Sequence, residues 1–218
     1  MLDTVIFSLI KGLPFSIKKK LIEDHKSPKK AIVNLKISLR RVNSKTGLKI
    51  LNQINSNAIV EKAEKIIQEC MESKIQIIPY WDNFYPKDLI HCIDAPFLIY
   101  SKGEQNPNTQ SLISIVGTRN CTDYGLKEIK RILNYLKPYP IGIVSGLAYG
   151  IDIYAHRTAN KLNLVNHAVL GGGINRIYPK KHLEESQKIK ENGILISEYS
   201  PNEGPRAYHF PRRNRIIA

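Results

Sequence analysis

The sequence predicts an α/β protein built around a doubly wound, mostly parallel sheet and preceded by a small helical domain. Three short apolar runs are typical of buried strands, and each ends in a turn that contains glycine: 113–117, 141–146 and 165–173. Helical patterns follow these turns, so strand and helix alternate along the chain. The turns of such a sheet gather at the carboxyl ends of its strands, which is where open α/β sheets bind ligands.

Residues 1–74 are predicted to form the helical domain, because apolar residues recur at helical spacing and segment 56–73 carries them on one face. Gly12-Leu13-Pro14 interrupts the first helix. The surrounding segment, 9–21, resembles a helix-hairpin-helix, whose glycine turn can offer backbone N–H groups to a DNA phosphate. A plain packing unit is the commoner explanation of such a helix pair.

Residues 75–110 are predicted to be a connector that contributes two lead-in strands, 75–78 and 97–100, and ends in a loop from residue 103. The segment between these strands contains Pro86 and is therefore not expected to be a regular helix. Its aromatic side chains can either stack on bases or pack against the sheet, and packing is the commoner role. They are Trp81, Phe84 and Tyr85.

Residues 111–218 are predicted to form the α/β domain. Its strands are expected at 113–116, 141–144, 165–170 and 194–197. Its helices are expected at 124–136, 151–161 and 180–191. The final segment, 200–218, is rich in proline and arginine and is predicted to be a loop, with a new strand or helix beginning at Ile216.

The chain is strongly basic, with 33 Lys and Arg against 19 Asp and Glu and a formal net charge of +14 over 218 residues. This excess favours nucleic acid, a phosphorylated ligand or another anionic surface as the partner. An AT-rich genome, which enriches proteins in Lys, Ile and Asn, is the alternative explanation of the same composition.

Cysteine usage and hydropathy indicate the cellular compartment. Three scattered cysteines, Cys70, Cys92 and Cys121, form no Cys-x-x-Cys pair, which argues against a disulfide framework or a zinc site. No apolar run approaches the roughly 20 residues that span a bilayer, and the acidic Asp3 argues against a secretion signal.

The sequence contains no GxxxxGK(S/T), GxGxxG, HExxH or GxSxG motif. We therefore expect a cytoplasmic protein with no cofactor, no metal and no membrane segment.

Glycine-lined turns and the cations near them form the candidate site. Glycine lets backbone N–H groups approach phosphate oxygens, and arginine can hold a phosphate with two hydrogen bonds. Ser145 can add a hydroxyl donor, and Asp152 either braces its loop or contacts a ligand. The candidate phosphate-contacting residues are Gly117, Thr118, Arg119, Ser145, Gly146, Gly150, Arg212, Arg213, Asn214 and Arg215.

From about residue 80 to 218 the motifs and their order resemble the DNA-processing protein A (DprA/Smf) family. The resemblance rests on VGTRN at 116–120, SGLAYGID at 145–152, LGGG at 170–173 and FPRRNRIIA at 210–218. It implies an extended Rossmann-like domain that binds single-stranded DNA without sequence preference and delivers the recombinase RecA onto that DNA during natural transformation. Such proteins usually work as homodimers and are not known as enzymes, so no catalytic activity is expected.

The resemblance also assigns roles to individual residues. Arg119 matches the DNA-contacting arginine of the first glycine turn, and Arg213 and Arg215 match the basic RNR motif. The phosphate-facing pocket is matched by Gly117, Ser145, Gly146 and Gly150. His182 departs from the family pattern, which usually has Asn after Tyr-Pro, and this leaves the hydrogen bonding of its loop open.

The chain stops at Ala218, whereas members of the family continue with further strands and helices. We therefore expect a fragment or a truncated product whose sheet is incomplete at the C-terminus, possessing little activity of its own. The alternative function is enzymatic: a nucleotide-cleaving phosphoribohydrolase of a related Rossmann-like fold. Such enzymes need a PGGxGT-like turn and a catalytic Glu, and the turn at 170–175 lacks both the Thr and a nearby downstream Glu.

Overall fold

The computed structural model describes residues 1–41 and 44–218, and within them five helices precede a six-stranded sheet. The helices are α1 (Leu2–Leu9), α2 (Phe15–His25), α3 (Pro28–Arg41), α4 (Lys45–Asn55) and α5 (Asn57–Glu72). Ser44 caps α4 by accepting a hydrogen bond from the Gly47 N–H at 2.9 Å, and Ser56 caps α5 in the same way. The helical N-terminal part predicted from the sequence is confirmed.

The turn between α1 and α2 packs against the helical bundle itself. Gly12 has a φ of +86°, a conformation that favours glycine. The backbone N–H of the adjacent Lys11 donates to the Gln53 side chain of α4 at 2.9 Å, and Gln53 donates back to the Lys11 carbonyl at 3.3 Å. These contacts are those of a packing unit, the commoner of the two explanations of this turn.

The sheet is mostly parallel, with two antiparallel strands added at one side. Its strands are β1 (Gln76–Pro79), β2 (Leu98–Gly103), β3 (Ser111–Ser114), β4 (Ile141–Ser145), β5 (Asn166–Val169) and β6 (Gly193–Ser197). Their order is β1-β2-β6-β5-β4-β3; β3 to β6 are parallel, whereas β1 and β2 pair in the antiparallel sense. Successive parallel strands lie side by side in one direction, as in one half of a doubly wound sheet. The Rossmann-like, mostly parallel sheet is thus confirmed.

Three helices connect the parallel strands: α6 (Asp123–Leu136), α7 (Ile151–Lys161) and α8 (Leu183–Glu191). Because such crossovers are right-handed and the strands advance in one direction, these helices pack on the same face of the sheet. Ile129 and Leu133 of α6 and Ala155 of α7 form a small apolar core with Ile143 of β4. The carboxyl ends of the parallel strands, and the loops that follow them, therefore lie along one edge.

The larger apolar core runs from the helical part into the sheet. Phe7 of α1 packs edge-on against Phe97, just before β2, with ring centroids 5.3 Å apart. Trp81 packs against the same Phe97 ring, and the buried Tyr85 donates its hydroxyl to the Pro96 carbonyl at 2.6 Å. Of the three aromatic residues considered for base stacking, Tyr85 is buried, Trp81 packs on Phe97 but is 43% exposed, and Phe84 is 41% exposed.

The expectation that 200–218 is a loop is wrong for its second half, because His209–Ile217 forms helix α9. Pro211 lies in the first turn of this helix, where a backbone N–H has no partner within the helix and a proline is tolerated. Ile217 is buried in the larger core, which holds the helix on the protein. The predicted start at Ile216 is therefore the end of the element.

Strand β3 ends at Ser114, two residues earlier than predicted. One further backbone hydrogen bond, from the Ile115 N–H to the Val144 carbonyl at 3.0 Å, continues the pairing. Val116 is already 60% exposed, so the loop that carries Gly117 and Arg119 leaves the sheet before them. This gives the first glycine turn room to fold back over the start of α7.

Candidate functional site

A cleft of about 760 Å³ lies where the loops after β3 and β4 meet α9. The loop after β3 lines it with Gly117 and Arg119, and α9 lines it with Arg213 and Asn214. The remaining walls include Asp152 at the start of α7, Tyr178 in the loop after β5, three residues before α9 (Pro205, Arg206 and Ala207) and two residues of its first turn (Phe210 and Pro211). The cleft is therefore at the edge of the sheet that the sequence predicts, and its charged lining is mainly cationic.

The first two glycine turns pack directly on each other. A Cβ at Gly117 would lie 2.5 Å from the Ile151 side chain, and a Cβ at Gly150 would collide with the Thr118 carbonyl. Gly150 also has a φ of +75°, and the Ile151 N–H donates to the Thr118 carbonyl at 3.2 Å. Glycine at these positions thus brings the two loops together and holds the base of the Arg119 side chain at the cleft.

The third glycine turn, 171–173, is not open to a ligand. All three of its glycines are buried. A Cβ at Gly171 would lie 2.8 Å from the Phe210 ring, and one at Gly173 would collide with the carbonyls of Ser200 and Pro201. The expectation that this turn presents backbone donors at the edge is therefore wrong, because the segment that leads to α9 covers it.

Two buried histidines hold Leu147, the residue at the centre of the second turn. Leu147 has a φ of +57°, which is unusual for a branched residue. Its N–H donates to His156 Nε2 at 3.3 Å, and its carbonyl accepts from His182 Nδ1 at 2.8 Å. Burial lowers the pKa of His156 to about 4, so the ring is neutral and can accept. His182, the departure from the family pattern, thus satisfies a backbone group of the neighbouring loop.

Sequence reasoning missed the partnership of His156 and His182 because 26 positions separate them in the chain. One lies in the helix after the second glycine turn and the other follows a Tyr-Pro turn, and no local pattern indicates that the two meet at one backbone residue. Strained backbone clusters at functional sites and persists only where its surroundings hold it. The pair therefore belongs to the structural support of the cleft.

Asp152 also braces the second turn. Its carboxylate accepts a hydrogen bond from the Gly146 N–H at 3.2 Å. Burial raises the pKa of this carboxyl, while Arg213 and the backbone N–H groups of Ala148, Gly146 and Gly117 act in the opposite direction. Of the two roles left open by the sequence, loop bracing is the one seen here.

Ser145 and Arg213 are buried, and their polar groups are used within the protein. The Ser145 hydroxyl donates to the Ile115 carbonyl at 2.6 Å. Arg213 is only 3% exposed. Its guanidinium Nη1 donates to the Gly146 carbonyl at 2.6 Å and also to the Val169 carbonyl. In this arrangement Ser145 ties the end of β4 to the residue after β3, and Arg213 ties together the ends of β4 and β5. DNA contact by either one stays a prediction.

The other arginines of the cleft and of α9 comprise one structural side chain and three exposed ones, of which Arg212 forms an ion pair with Glu198 at 3.7 Å. Arg215 forms ion pairs with Glu198 and, at 3.1 Å, with Asp94, and its side chain is only 15% exposed. The exposed ones are Arg119, Arg206 and Arg212. Arg212 and Arg215 lie on the side of α9 away from the cleft, in a separate groove that also contains Asp94 and Glu198. Of the predicted arginines, only Arg119 is therefore both exposed and in the cleft.

An aromatic face accompanies Arg119. Its guanidinium carbon lies 5.7 Å from the centre of the Phe210 ring, a cation–π distance. The half-exposed Tyr178 lies beside the same ring, with centroids 5.6 Å apart. Thr118 accepts a hydrogen bond from the Asn120 N–H at 3.2 Å, which closes the loop around Arg119. Tyr178 and Phe210 are site residues that spacing alone does not reveal, because only the fold brings them to Arg119.

Two features are missing from the residues that the structure describes, 1–41 and 44–218. No group of three His, Cys, Asp or Glu side chains in this part of the chain is placed to hold a metal ion. Within the same residues, no helix combines the length and the apolar character that crossing a bilayer requires.

The fold and the cleft define a Rossmann-like protein with a basic, partly aromatic cleft at the carboxyl ends of its parallel strands. A family model described as DNA recombination-mediator protein A matches residues 76–218. The chain belongs to this family, the DprA/Smf family.

Relatives and solved structures agree with this assignment. DprA of Streptococcus pneumoniae is 35% identical over 75% of this chain and 59% of its own length. Protein Smf of Escherichia coli is 37% identical over 65% of this chain and 38% of its own length. Protein Smf of Synechocystis is 31% identical over 97% of this chain and 54% of its own length. The chain therefore spans less than two thirds of the length of these relatives.

Two solved structures are similar to the fold. The X-ray structure of S. pneumoniae DprA matches with a TM-score of 0.81 and 28% sequence identity. The match includes all of this chain and 74% of the S. pneumoniae chain. The second is DNA processing protein A from Helicobacter pylori, whose structure is described as giving insight into a single-stranded DNA binding mode. It has a TM-score of 0.59 and 27% identity over 66% of this chain and 64% of its own.

Proposed function

We propose that the cleft binds single-stranded DNA without sequence selection. The observation that carries the proposal is the exposed Arg119 guanidinium beside the Phe210 ring, in a cleft at the carboxyl edge of the sheet. An arginine can hold a backbone phosphate, and an aromatic ring can stack on the base next to it. The single-stranded DNA binding mode described for the H. pylori protein supports the same assignment.

The lack of sequence selection follows from the same groups. Every nucleotide has the same phosphate, and every base has a face on which an aromatic ring can stack. The net charge of +14 adds a long-range attraction that does not depend on sequence. We therefore expect oligonucleotides of different base composition to bind with similar affinity.

We infer further that the DNA-bound protein acts in the cytoplasm by delivering the recombinase RecA onto single-stranded DNA during transformation. The family description, a DNA recombination mediator, supports this step. A homodimer, which the resemblance implies for full-length members of the family, is part of the same proposal.

We propose binding without catalysis. Asp152, a buried carboxylate of the cleft, is engaged by the Gly146 N–H, and the turn at 171–173 is covered by the segment before α9. A phosphoribohydrolase needs an accessible carboxylate and an open glycine turn to hold the sugar phosphate. Neither requirement is supported by this arrangement.

The test is fluorescence anisotropy with labelled oligonucleotides of 8 nucleotides, made as dT, dC and mixed sequences, over a salt series. Similar affinities that fall steeply with salt support the proposal. Absence of binding by the folded protein, or an affinity that depends strongly on sequence, contradicts it. RecA delivery is tested separately, by whether the protein accelerates the DNA-dependent ATPase of RecA on strands covered by a single-strand-binding protein; no acceleration contradicts that step.

A further inference from the structure

The cations of the helical part are concentrated in three of its five helices. Residues 15–55, which contain α2, α3 and α4, include eleven Lys and Arg but only two Asp and Glu. The next helix, α5 (Asn57–Glu72), has two Lys and four Glu. A genome-wide bias towards lysine acts on all these helices alike, so it does not explain this separation of charge.

The outer surface of α3 shows how these cations are arranged. Lys29 and Lys30 are exposed at its first turn, and Arg40 and Arg41 are exposed at its last. Between them lie Val33 and Ile37, which are 49% and 44% exposed. The opposite side of the helix is buried in the larger core. We call the six outer residues the α3 face: Lys29, Lys30, Val33, Ile37, Arg40 and Arg41.

The cations of this face do not stabilise the protein through pairing. Among the described residues, no carboxylate forms an ion pair with a Lys or Arg of α2, α3 or α4. Lys29 and Lys30 also lie in the first turn of α3, which contains no acidic residue. The positive end of the helix dipole disfavours cations at that position. Two of the four cations are thus placed where they lower the stability of the helix, which an anionic partner outside the molecule would reverse.

We propose that the α3 face binds the sugar-phosphate backbone of duplex DNA. The two pairs of cations are eleven residues apart, which is about 16 Å along a helix. A duplex has two phosphate rows, separated by a major groove about 12 Å wide, and long Lys and Arg side chains can contact one row from each end of α3. Proteins that hold single strands add aromatic side chains for stacking, and the α3 face contains none.

The α3 face is separate from the cleft. The helical part joins the sheet through α5 and β1, and β1 is at the opposite side of the sheet from β3, next to which the cleft lies. The two surfaces therefore contact different parts of a DNA molecule. This inference goes beyond the single-strand binding proposed above, and either one can fail without the other.

The test compares two variants from which the same charge has been removed. In the first, the cations of the α3 face are neutralised: Lys29→Gln, Lys30→Gln, Arg40→Gln and Arg41→Gln. In the control, four exposed lysines elsewhere are neutralised: Lys65→Gln, Lys130→Gln, Lys137→Gln and Lys161→Gln. Binding to a labelled blunt duplex of 24 base pairs and to an 8-nucleotide dT strand is measured by anisotropy at several salt concentrations, and thermal melting confirms that both variants are folded.

For the first variant we expect a loss of duplex affinity of tenfold or more. We also expect the slope of log affinity against log salt to fall by about 3.6, from four lost phosphate contacts at about 0.9 each. Binding of the short dT strand stays within a factor of two, and the control loses much less duplex affinity. Equal losses in the two variants, or an unchanged duplex affinity in the first, overturn the proposal. Loss of binding to phosphatidylserine vesicles with unchanged duplex binding also overturns it and assigns the face to anionic lipid.

Discussion

Substitution of Arg119 by alanine separates DNA binding from folding more clearly than any other change in the cleft. Its guanidinium is exposed and lies against the Phe210 ring at 5.7 Å. Removing it therefore leaves no buried group without a partner, and we expect an unchanged melting temperature. Arg213→Ala lacks this advantage, because it leaves the Gly146 and Val169 carbonyls unpaired.

The expected effect on binding follows from a single charge-assisted phosphate contact. Such a contact contributes roughly 1–3 kcal/mol, which corresponds to a loss of affinity of roughly 5- to 150-fold. The salt dependence reports the same contact independently, because each phosphate contact on a single strand contributes about 0.7 to the slope. Arg119→Lys retains the charge but loses the planar group that stacks and binds with two hydrogen bonds, so we expect an intermediate affinity with an unchanged slope.

The assay is anisotropy of a labelled dT strand at three salt concentrations, with Arg131→Ala as the matched control. Arg131 is an exposed arginine of α6 whose ion pair is with Glu128 on the same helix, away from the cleft. We expect the control to bind as the wild type does, apart from a small uniform loss from the removed charge. A folded Arg119→Ala variant whose affinity and salt slope match those of Arg131→Ala would refute the assignment of Arg119 to the DNA site.

Three further predictions concern the aromatic face, the glycine turn and the buried histidines. Phe210→Ala should weaken single-strand binding by roughly 1–3 kcal/mol, the scale of one stacked base, with little change in salt slope; an unchanged affinity by anisotropy contradicts the stacking role. Gly150→Ala should lower the melting temperature, because the φ of Gly150 is +75° and a Cβ there would collide with the Thr118 carbonyl. Gly204→Ala is the control and should leave the melting temperature unchanged, because no atom lies within 4 Å of the added carbon. Equal melting temperatures of the two variants refute this reasoning. Burial lowers the pKa of His156 to about 4 from an ordinary value of 6.5. Only the unfolded chain gains this proton between those pH values, so His156 should lower the free energy of unfolding by about 3 kcal/mol as pH falls from 6.5 to 4. The buried His167, whose pKa burial also lowers to about 4, should add a loss of similar size. Urea unfolding of the wild type and of His156→Gln across this pH range measures the change, and the stability of the variant should depend less on pH. A wild-type stability that rises on acidification contradicts the prediction.

The helical part and the alternation of strand and helix were predictable because both depend on local patterns. Apolar spacing identified α1 and α5, and glycine or proline identified the turns between the elements. The two errors of element assignment have local causes as well. The proline of α9 suggested a loop, but Pro211 lies in the first turn of the helix, where its missing N–H is tolerated. Strand β3 was predicted two residues too late, at 113–116, because Ile115 and Val116 remain apolar beyond its end at Ser114.

The candidate site was predictable only in part, because residue type and spacing do not report burial. Glycine and arginine in VGTRN and SGLAYG correctly indicated the edge of the sheet. They did not show that Arg213 would be buried beneath the cleft while Arg119 remained open, or that Gly171 to Gly173 would be covered by the segment before α9. Arginines that are close in sequence acquired different surroundings because α9 directs its successive side chains to different sides.

Residue order alone accounts for the secondary-structure pattern, the basic charge, the glycine turns and the family. The tertiary structure decided which of those residues can meet a ligand. It placed Phe210 and Tyr178 beside Arg119, set His156 and His182 on the two sides of Leu147, and paired Arg215 with Glu198 and Asp94. These contacts join residues far apart in the chain, and their geometry follows from how the helices and strands pack rather than from any local pattern.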